Sequence, residues 1–202
     1  MANPSRTRHA LRMAAACPGA GARERTERGL TLLELSFAIT LLVIGISAIS
    51  RLTLGLTRAA GMARETELAT AAARTMLERI QAEAFSQAFR SFNALGSDDP
   101  SGANTAPGAN FAVPGLRAVR GDADGMPGQV QFPTPSALPG ALREDVVDST
   151  LGMPQDLNSD GVVDSANHST DYKLLPVRVR VRWEAADGSL GAVELTTMLA
   201  NY

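Results

Sequence analysis

Oxygen-bearing side chains with a regular spacing lie between residues 156 and 164. The segment has the form D-x-N-x-D-G-x-x-D, which puts side-chain oxygens at loop positions 1, 3, 5 and 9. This pattern is typical of calcium-binding loops, in which hard oxygen ligands surround the cation and a glycine at position 6 permits a sharp turn. We expect a structural Ca²⁺ held by four side chains and one backbone carbonyl, those of Asp156, Asn158, Asp160, Asp164 and, for the carbonyl, Val162.

Position 12 of this loop, which spans residues 156–167, is Asn167 rather than the bidentate glutamate of a full EF-hand. The predicted site is therefore weak to moderate in affinity, with Asp171 as a further candidate ligand. His168 is expected to face solvent, because calcium prefers oxygen ligands. The alternative is a turn without an ion, since Asp, Asn and Gly are ordinary turn residues.

A single acid interrupts a long apolar run near the N-terminus. Leu30 to Ser50 comprises 21 residues, and Glu34 is their one charge. As a helix with about 1.5 Å rise per residue, this run is about 31 Å long, which matches the hydrocarbon core of a bilayer. An acid inside such a helix is costly and is generally retained for a function. We predict a transmembrane and assembly helix over residues 30–50.

The segment before the apolar run is basic. Residues 1–29 contain six arginines and two glutamates, whereas the rest of the chain carries more acids than bases. A basic flank stays cytoplasmic, so we expect a single-pass inner-membrane protein with its C-terminal domain outside, in the periplasm or in an extracellular filament. A small residue, Gly29, precedes the run, so cleavage there would remove the leader and keep the helix. The only cysteine, Cys17, would leave with it.

Residues 29–34, Gly-Leu-Thr-Leu-Leu-Glu, resemble the prepilin cleavage and N-methylation motif of type IV pilins and type II secretion pseudopilins. The resemblance implies cleavage between Gly29 and Leu30 by prepilin peptidase and methylation of Leu30. It also implies assembly with other pilin or pseudopilin subunits, in which Glu34 pairs with the N-terminal amine of a neighbour. Beyond this motif, the chain is most similar to minor pilins of the PilV type. The alternative is a plain signal anchor with a stray acid.

The remaining pattern predicts an α+β, pilin-like fold, a long N-terminal helix packed on a small C-terminal antiparallel sheet. Residues 51–95 form the soluble, amphipathic half of the helix, and 96–202 a loop-rich β domain. One apolar stripe follows helical spacing: Ala73, Met76, Leu77, Ile80 and Ala84. Valine and arginine alternate over 176–183, which indicates a strand that pairs with 191–199; a short strand is expected over 129–132.

The composition excludes several functions. Two histidines, one leader cysteine and no phosphate-binding glycine loop give no catalytic constellation, so we do not expect an enzyme. The arginine face of the predicted strand is expected to be solvated, and nucleic acid is not expected as a partner of a net acidic chain. The sequence favours a minor structural subunit of a type IV pilus or type II secretion pseudopilus. The alternatives are a membrane-anchored, calcium-dependent binding module that does not polymerise, and a DNA-uptake pseudopilin.

Overall fold

The computed structural model describes residues 31–201. The predicted cleavage and methylation positions, Gly29 and Leu30, lie outside these residues. The chain divides into two compact units, with the boundary between Ile49 and Ser50. This boundary falls inside the first helix.

Helix α1 extends over Leu32–Ala82. In the first unit, all of its residues are exposed, and large aliphatic side chains dominate. Thr31 and Glu34 form a capping box at its start, because the side chain of each residue accepts the backbone N–H of the other. The backbone N–H of Glu34 donates to Thr31 Oγ1 at 3.2 Å, and the backbone N–H of Thr31 donates to Glu34 Oε2 at 3.4 Å.

In the second unit, α1 buries one narrow stripe. Ala69, Ala73, Met76 and Ile80 belong to the hydrophobic core of this unit. The predicted stripe is correct as far as Ile80, but α1 ends at Ala82 and Ala84 is exposed. The chain then re-enters a short helix, α2, over Phe85–Phe92, which turns Phe89 and Phe92 into the core.

Four antiparallel strands form one sheet in the order β1-β2-β3-β4. Their bounds are Asn110–Phe111, Gly128–Gln131, Leu174–Glu184 and Leu190–Ala200. Single 3₁₀ turns at Gly96–Asp98 and Ser149–Leu151 interrupt the long connections. The hairpin of β3 and β4 is the one predicted from the valine–arginine alternation, extended by a few residues at each end.

Valine and arginine alternate along β3, so one face of the strand is buried in the core and the other faces away from it. Val177, Val179 and Val181 are completely buried, whereas the intervening arginines lie on the opposite face. Trp183 continues the buried row, and its indole Nε1 donates to Glu65 Oε2 at 2.9 Å. Gly191 is its partner in β4, and a Cβ there would lie 2.3 Å from the indole, so this position requires glycine.

The coarse fold prediction is therefore confirmed: a long apolar N-terminal helix is followed by a small C-terminal antiparallel sheet. The helix stripe and the valine face of the sheet belong to one core cluster within the second unit. The long connection between β2 and β3 carries the predicted metal-binding loop, and β3 starts a few residues after that loop.

Candidate functional site

Asp156 organises the predicted metal-binding loop. Its Oδ1 accepts the backbone N–H of Ser159 at 2.6 Å and of Asp160 at 3.3 Å, and its Oδ2 accepts that of Gly161 at 2.8 Å. Ser159 and Gly161 both adopt left-handed backbone conformations, with φ of 59° and 89°. These turns wrap the backbone around the carboxylate. The hydrogen bond from Gly161 is the largest cause of a lowered pKa at Asp156.

The two middle positions of the loop form successive side-chain turns. Asn158 Oδ1 accepts the N–H of Asp160 at 3.0 Å, and Asp160 Oδ1 accepts the N–H of Val162 at 2.8 Å. The amide Nδ2 of Asn158 lies 3.1 Å from Asp160 Oδ2. Carboxylate and amide oxygens have a second lone pair, so these bonds leave acceptor capacity for a cation. The same bonds would also support a turn without an ion.

Glu144 holds both ends of this loop. It has no exposed surface, and its Oε1 accepts the N–H of Leu157 at 2.7 Å and of Asn158 at 3.2 Å. Its Oε2 accepts the N–H of Asp164 at 3.2 Å. A buried carboxylate is costly unless it is fully hydrogen-bonded. Sequence reasoning missed Glu144, since nothing local distinguishes it from the exposed acid Asp145 beside it.

Leu157 links the same loop to the sheet. Its side chain is completely buried, and its backbone carbonyl accepts the N–H groups of Lys173 at 2.8 Å and Leu174 at 2.9 Å. The N–H of Leu157 is the one that donates to Glu144. Both peptide groups of one residue therefore fix the loop between a buried acid and the start of β3.

The expectation that His168 faces solvent is wrong. The residue is buried, with 5% of its surface exposed, and an acidic side chain lies beside each ring nitrogen. Nε2 is 3.1 Å from Asp164 Oδ1 and 3.8 Å from Glu144 Oε2, and Nδ1 is 3.2 Å from Asp171 Oδ1. Burial lowers the pKa of His168, but the hydrogen bonds to Asp164 and Asp171 and the charge of Glu144 outweigh it, so its pKa is raised.

These side chains form a group that can hold a metal ion. One ligand atom from each of Glu144, Asp164 and His168 lies within 4.8 Å of the other two. Of the five predicted ligands, Asp164 belongs to this group, and the two others come from outside the predicted set. Asn167, at loop position 12, uses its side-chain oxygen for backbone hydrogen bonds. Its Oδ1 accepts the N–H of Leu142 at 3.0 Å and of Ser169 at 3.1 Å.

Asp164 is the residue shared by the predicted loop and this group. Its pKa is lowered, first by the N–H of Ala166, which Oδ1 accepts at 2.7 Å, and then by the hydrogen bond to His168. A carboxylate that stays ionised at low pH suits a cation site. The donor set of two carboxylates and an imidazole, with loop oxygens beside it, is compatible with a divalent metal without specifying which one.

The second functional feature is the exposed N-terminal helix. Among the described residues, α1 is the helix long and apolar enough to span a membrane, and none of its apolar window is buried. The exposure separates this segment from a core helix of a soluble domain. Glu34 is the acidic residue near the start of this helix. Its Oε2 also accepts a hydrogen bond from the hydroxyl of Thr31 at 3.4 Å, so it has a hydrogen-bond partner in its own chain.

No family model, curated protein or solved structure matches the chain.

Proposed function

We propose that this chain is a minor structural subunit of a type IV pilus or type II secretion pseudopilus. Prepilin peptidase would cut between Gly29 and Leu30, and the matured chain would enter a filament rooted in the inner membrane through its N-terminal helix. The observation that carries the proposal is a membrane-length helix, fully exposed over residues 32–50, with a lone Glu34 in its first turn. A bilayer or neighbouring helices of the same kind would cover this apolar surface.

The capping box gives Glu34 a possible role within its own chain, which supports the alternative of a membrane-anchored module. An acid at the third helical position satisfies the free N–H groups of the helix start and interacts favourably with the helix dipole. This role needs no other subunit. An assembly role instead requires the negative charge, which would pair with the amine of a neighbouring subunit in a low-dielectric environment.

The two roles of Glu34 are separable by substitution. Gln at position 34 can still accept the N–H of Thr31, because Gln and Glu both serve in capping boxes, but it carries no charge. Thr31→Ala does the reverse, since it removes the cap and keeps the acid. If Glu34 acts in assembly, Glu34→Gln should abolish incorporation into filaments without affecting membrane insertion. The Thr31→Ala variant should still assemble into filaments.

The test is a filament-shearing assay on cells that express each variant at equal level, with membrane fractionation as the control. Loss of Glu34→Gln from sheared filaments, with Thr31→Ala retained, supports the filament role. If Glu34→Gln assembles like the unaltered chain, the charge is not an assembly contact. If no filament contains the unaltered chain, the membrane-anchored binding module is the better description.

For the soluble end, we propose one structural Ca²⁺ at the loop. The ligands would be the side-chain oxygens of Asp156, Asn158, Asp160 and Asp164 and the carbonyl of Val162. The buried carboxylate of Glu144 supports this set from outside the loop, because it positions the backbone at Leu157 and Asp164. In a mature chain without cysteine, the ion would stabilise the loop that leads into β3.

A further inference from the structure

A polar cleft lies on the face of the sheet opposite to the core. It has a volume of about 400 Å³, within the ordinary range for small-molecule sites. Its floor is a row of paired strand positions, in which Asn110 of β1 faces Gln129 of β2 and Gln129 faces Arg180 of β3. Its wall is the loop of residues 119–127.

This wall is fixed to the sheet by hydrogen bonds to backbone groups and to one side chain. The N–H of Arg182 donates to the carbonyl of Pro127 at 2.8 Å, and the N–H of Arg120 donates to Glu184 Oε2 at 3.2 Å. The N–H of Glu184 donates to the carbonyl of Arg117 at 3.0 Å. The loop that forms the wall is therefore held to the sheet near both of its ends, so a ligand would meet a largely preformed site.

The three arginines of the cleft differ in whether they have an ion-pair partner. Arg180 forms an ion pair within the sheet, with its Nε 2.8 Å from Glu194 Oε1, although this buried Nε makes no hydrogen bond. Arg120 and Arg182, which line the same cleft, have no ion-pair partner among residues 31–201. A guanidinium binds a carboxylate through two parallel hydrogen bonds, so these two residues can supply the anion-binding part of a site.

The other lining groups restrict the ligand. Asp122 and Asp124 face the same cleft and repel a second negative charge, which disfavours a polyanion such as nucleic acid. Carboxylates, together with the amides of Asn110 and Gln129, can accept and donate hydrogen bonds to hydroxyl groups. Met126 adds an apolar surface on which a CH-rich ring face can pack.

We propose that this cleft binds a polyhydroxylated ligand with a single carboxylate, the chemistry of an acidic saccharide. Arg120 and Arg182 bind the carboxylate, and the aspartates and amides bind the hydroxyl groups. The site lies within the second unit, uses neither Glu34 nor the metal-binding loop, and is independent of filament assembly.

The test uses the full chain in uncharged polyoxyethylene micelles, which contain no sugar headgroup. Isothermal titration compares cellobiouronic acid, a disaccharide with one uronate, with neutral cellobiose. We expect at least about tenfold tighter binding of the acid, the effect of one charge-assisted hydrogen bond or more. Arg120→Gln and Arg182→Gln should each reduce that preference about tenfold, and Arg74→Gln, an exposed arginine of α1, should leave it unchanged.

Equal binding of the two disaccharides, or binding of neither, would overturn the proposal. Inorganic sulfate and a short DNA duplex serve as competitors. Displacement of the uronate by sulfate at equal concentration would indicate a general anion site, and tighter binding of DNA would indicate a nucleic-acid surface; both results contradict an acidic-saccharide site. Thermal melts followed by Trp183 fluorescence verify that each variant is folded.

Discussion

Glu144 Oε1 accepts the backbone N–H of Leu157 at 2.7 Å, and neither residue has exposed surface. This bond joins residues that are 13 positions apart in the sequence and places a carboxylate inside the domain. Two further N–H groups, of Asn158 and Asp164, converge on the same side chain. The predicted metal-binding loop is thus built around an acid that lies outside its own sequence pattern.

The first prediction concerns that acid. Glu144→Ala should lower the free energy of unfolding by about 3 kcal/mol, because it leaves the N–H of Leu157 buried without an acceptor and removes hydrogen bonds to a charged group. Asp145→Ala, next in sequence, removes only a surface ion pair with Arg143 and should cost less than about 1 kcal/mol. Urea denaturation in micelles, followed by the fluorescence of the single tryptophan, measures both. Similar costs for the two variants would contradict a structural role of Glu144.

The second prediction concerns the metal. Calcium at 100 times its dissociation constant should stabilise the chain by about 2.7 kcal/mol and raise its melting temperature by about 5 °C or more. Asp160→Asn should reduce this shift, because it keeps the acceptor for Val162 N–H and removes a charge. Asp187→Asn is the matched control: Asp187 makes the same kind of turn, with Ser189 N–H at 3.0 Å, in the hairpin connection. A melting curve that does not respond to calcium or chelator would rule out the site.

The third prediction is a pH dependence of the metal-free chain. The pKa of His168 is raised in the folded state by Asp164, Asp171 and Glu144, despite the opposing effect of burial. A raised folded pKa contributes stability that is fully present below the unfolded value of about 6.5 and is lost as the pH rises through the folded value. With chelator present, His168→Asn should therefore be more destabilising at pH 5.5 than at pH 8.5. An equal cost at both pH values would show that protonation contributes nothing.

The fourth prediction concerns the attachment of the sheet to the helix. Glu65→Ala should destabilise the domain by about 1–3 kcal/mol, since it leaves the Nε1 of the buried Trp183 without its acceptor. Glu65→Gln keeps an oxygen at that position and should recover most of the loss. Glu67→Ala, an exposed neighbour on the same helix, is the control. Denaturation midpoints distinguish the three variants, and an unaltered midpoint for Glu65→Ala would refute the contribution of this bond.

The periodic elements were predictable from the sequence, and the contacts between distant residues were not. Alternation from Val177 to Trp183 specifies which face of β3 is buried, because side chains in a strand point to opposite faces in turn. The end of α1 was missed, since no Pro or Gly marks Ala82. In the structure, the hydroxyl of Tyr172 donates to the carbonyl of Phe85 and accepts the N–H of Phe89 at 3.5 Å, which links α2 to the segment just before β3.

The predicted metal-binding loop also combines features that the sequence predicts with features that it does not. Its local turns followed from the spacing of Asp156, Asn158 and Asp160, because each bond joins residues at most five apart. The position of Glu144 beside His168 did not, since this acid comes from another part of the chain. Local pattern therefore found the oxygen-rich loop, whereas the imidazole and the buried acid beside it required the tertiary structure.

The two peptide groups of Leu157 have a consequence for local opening of the domain. Its N–H is bound to Glu144, and its carbonyl is bound to the start of β3. The loop therefore cannot move away from either one without breaking a hydrogen bond of Leu157. Such shared bonds make neighbouring segments open as one cooperative unit. In native-state hydrogen exchange, the amides of Leu157 and Leu174 should therefore exchange at matching rates, and substitution of Glu144 should accelerate both together.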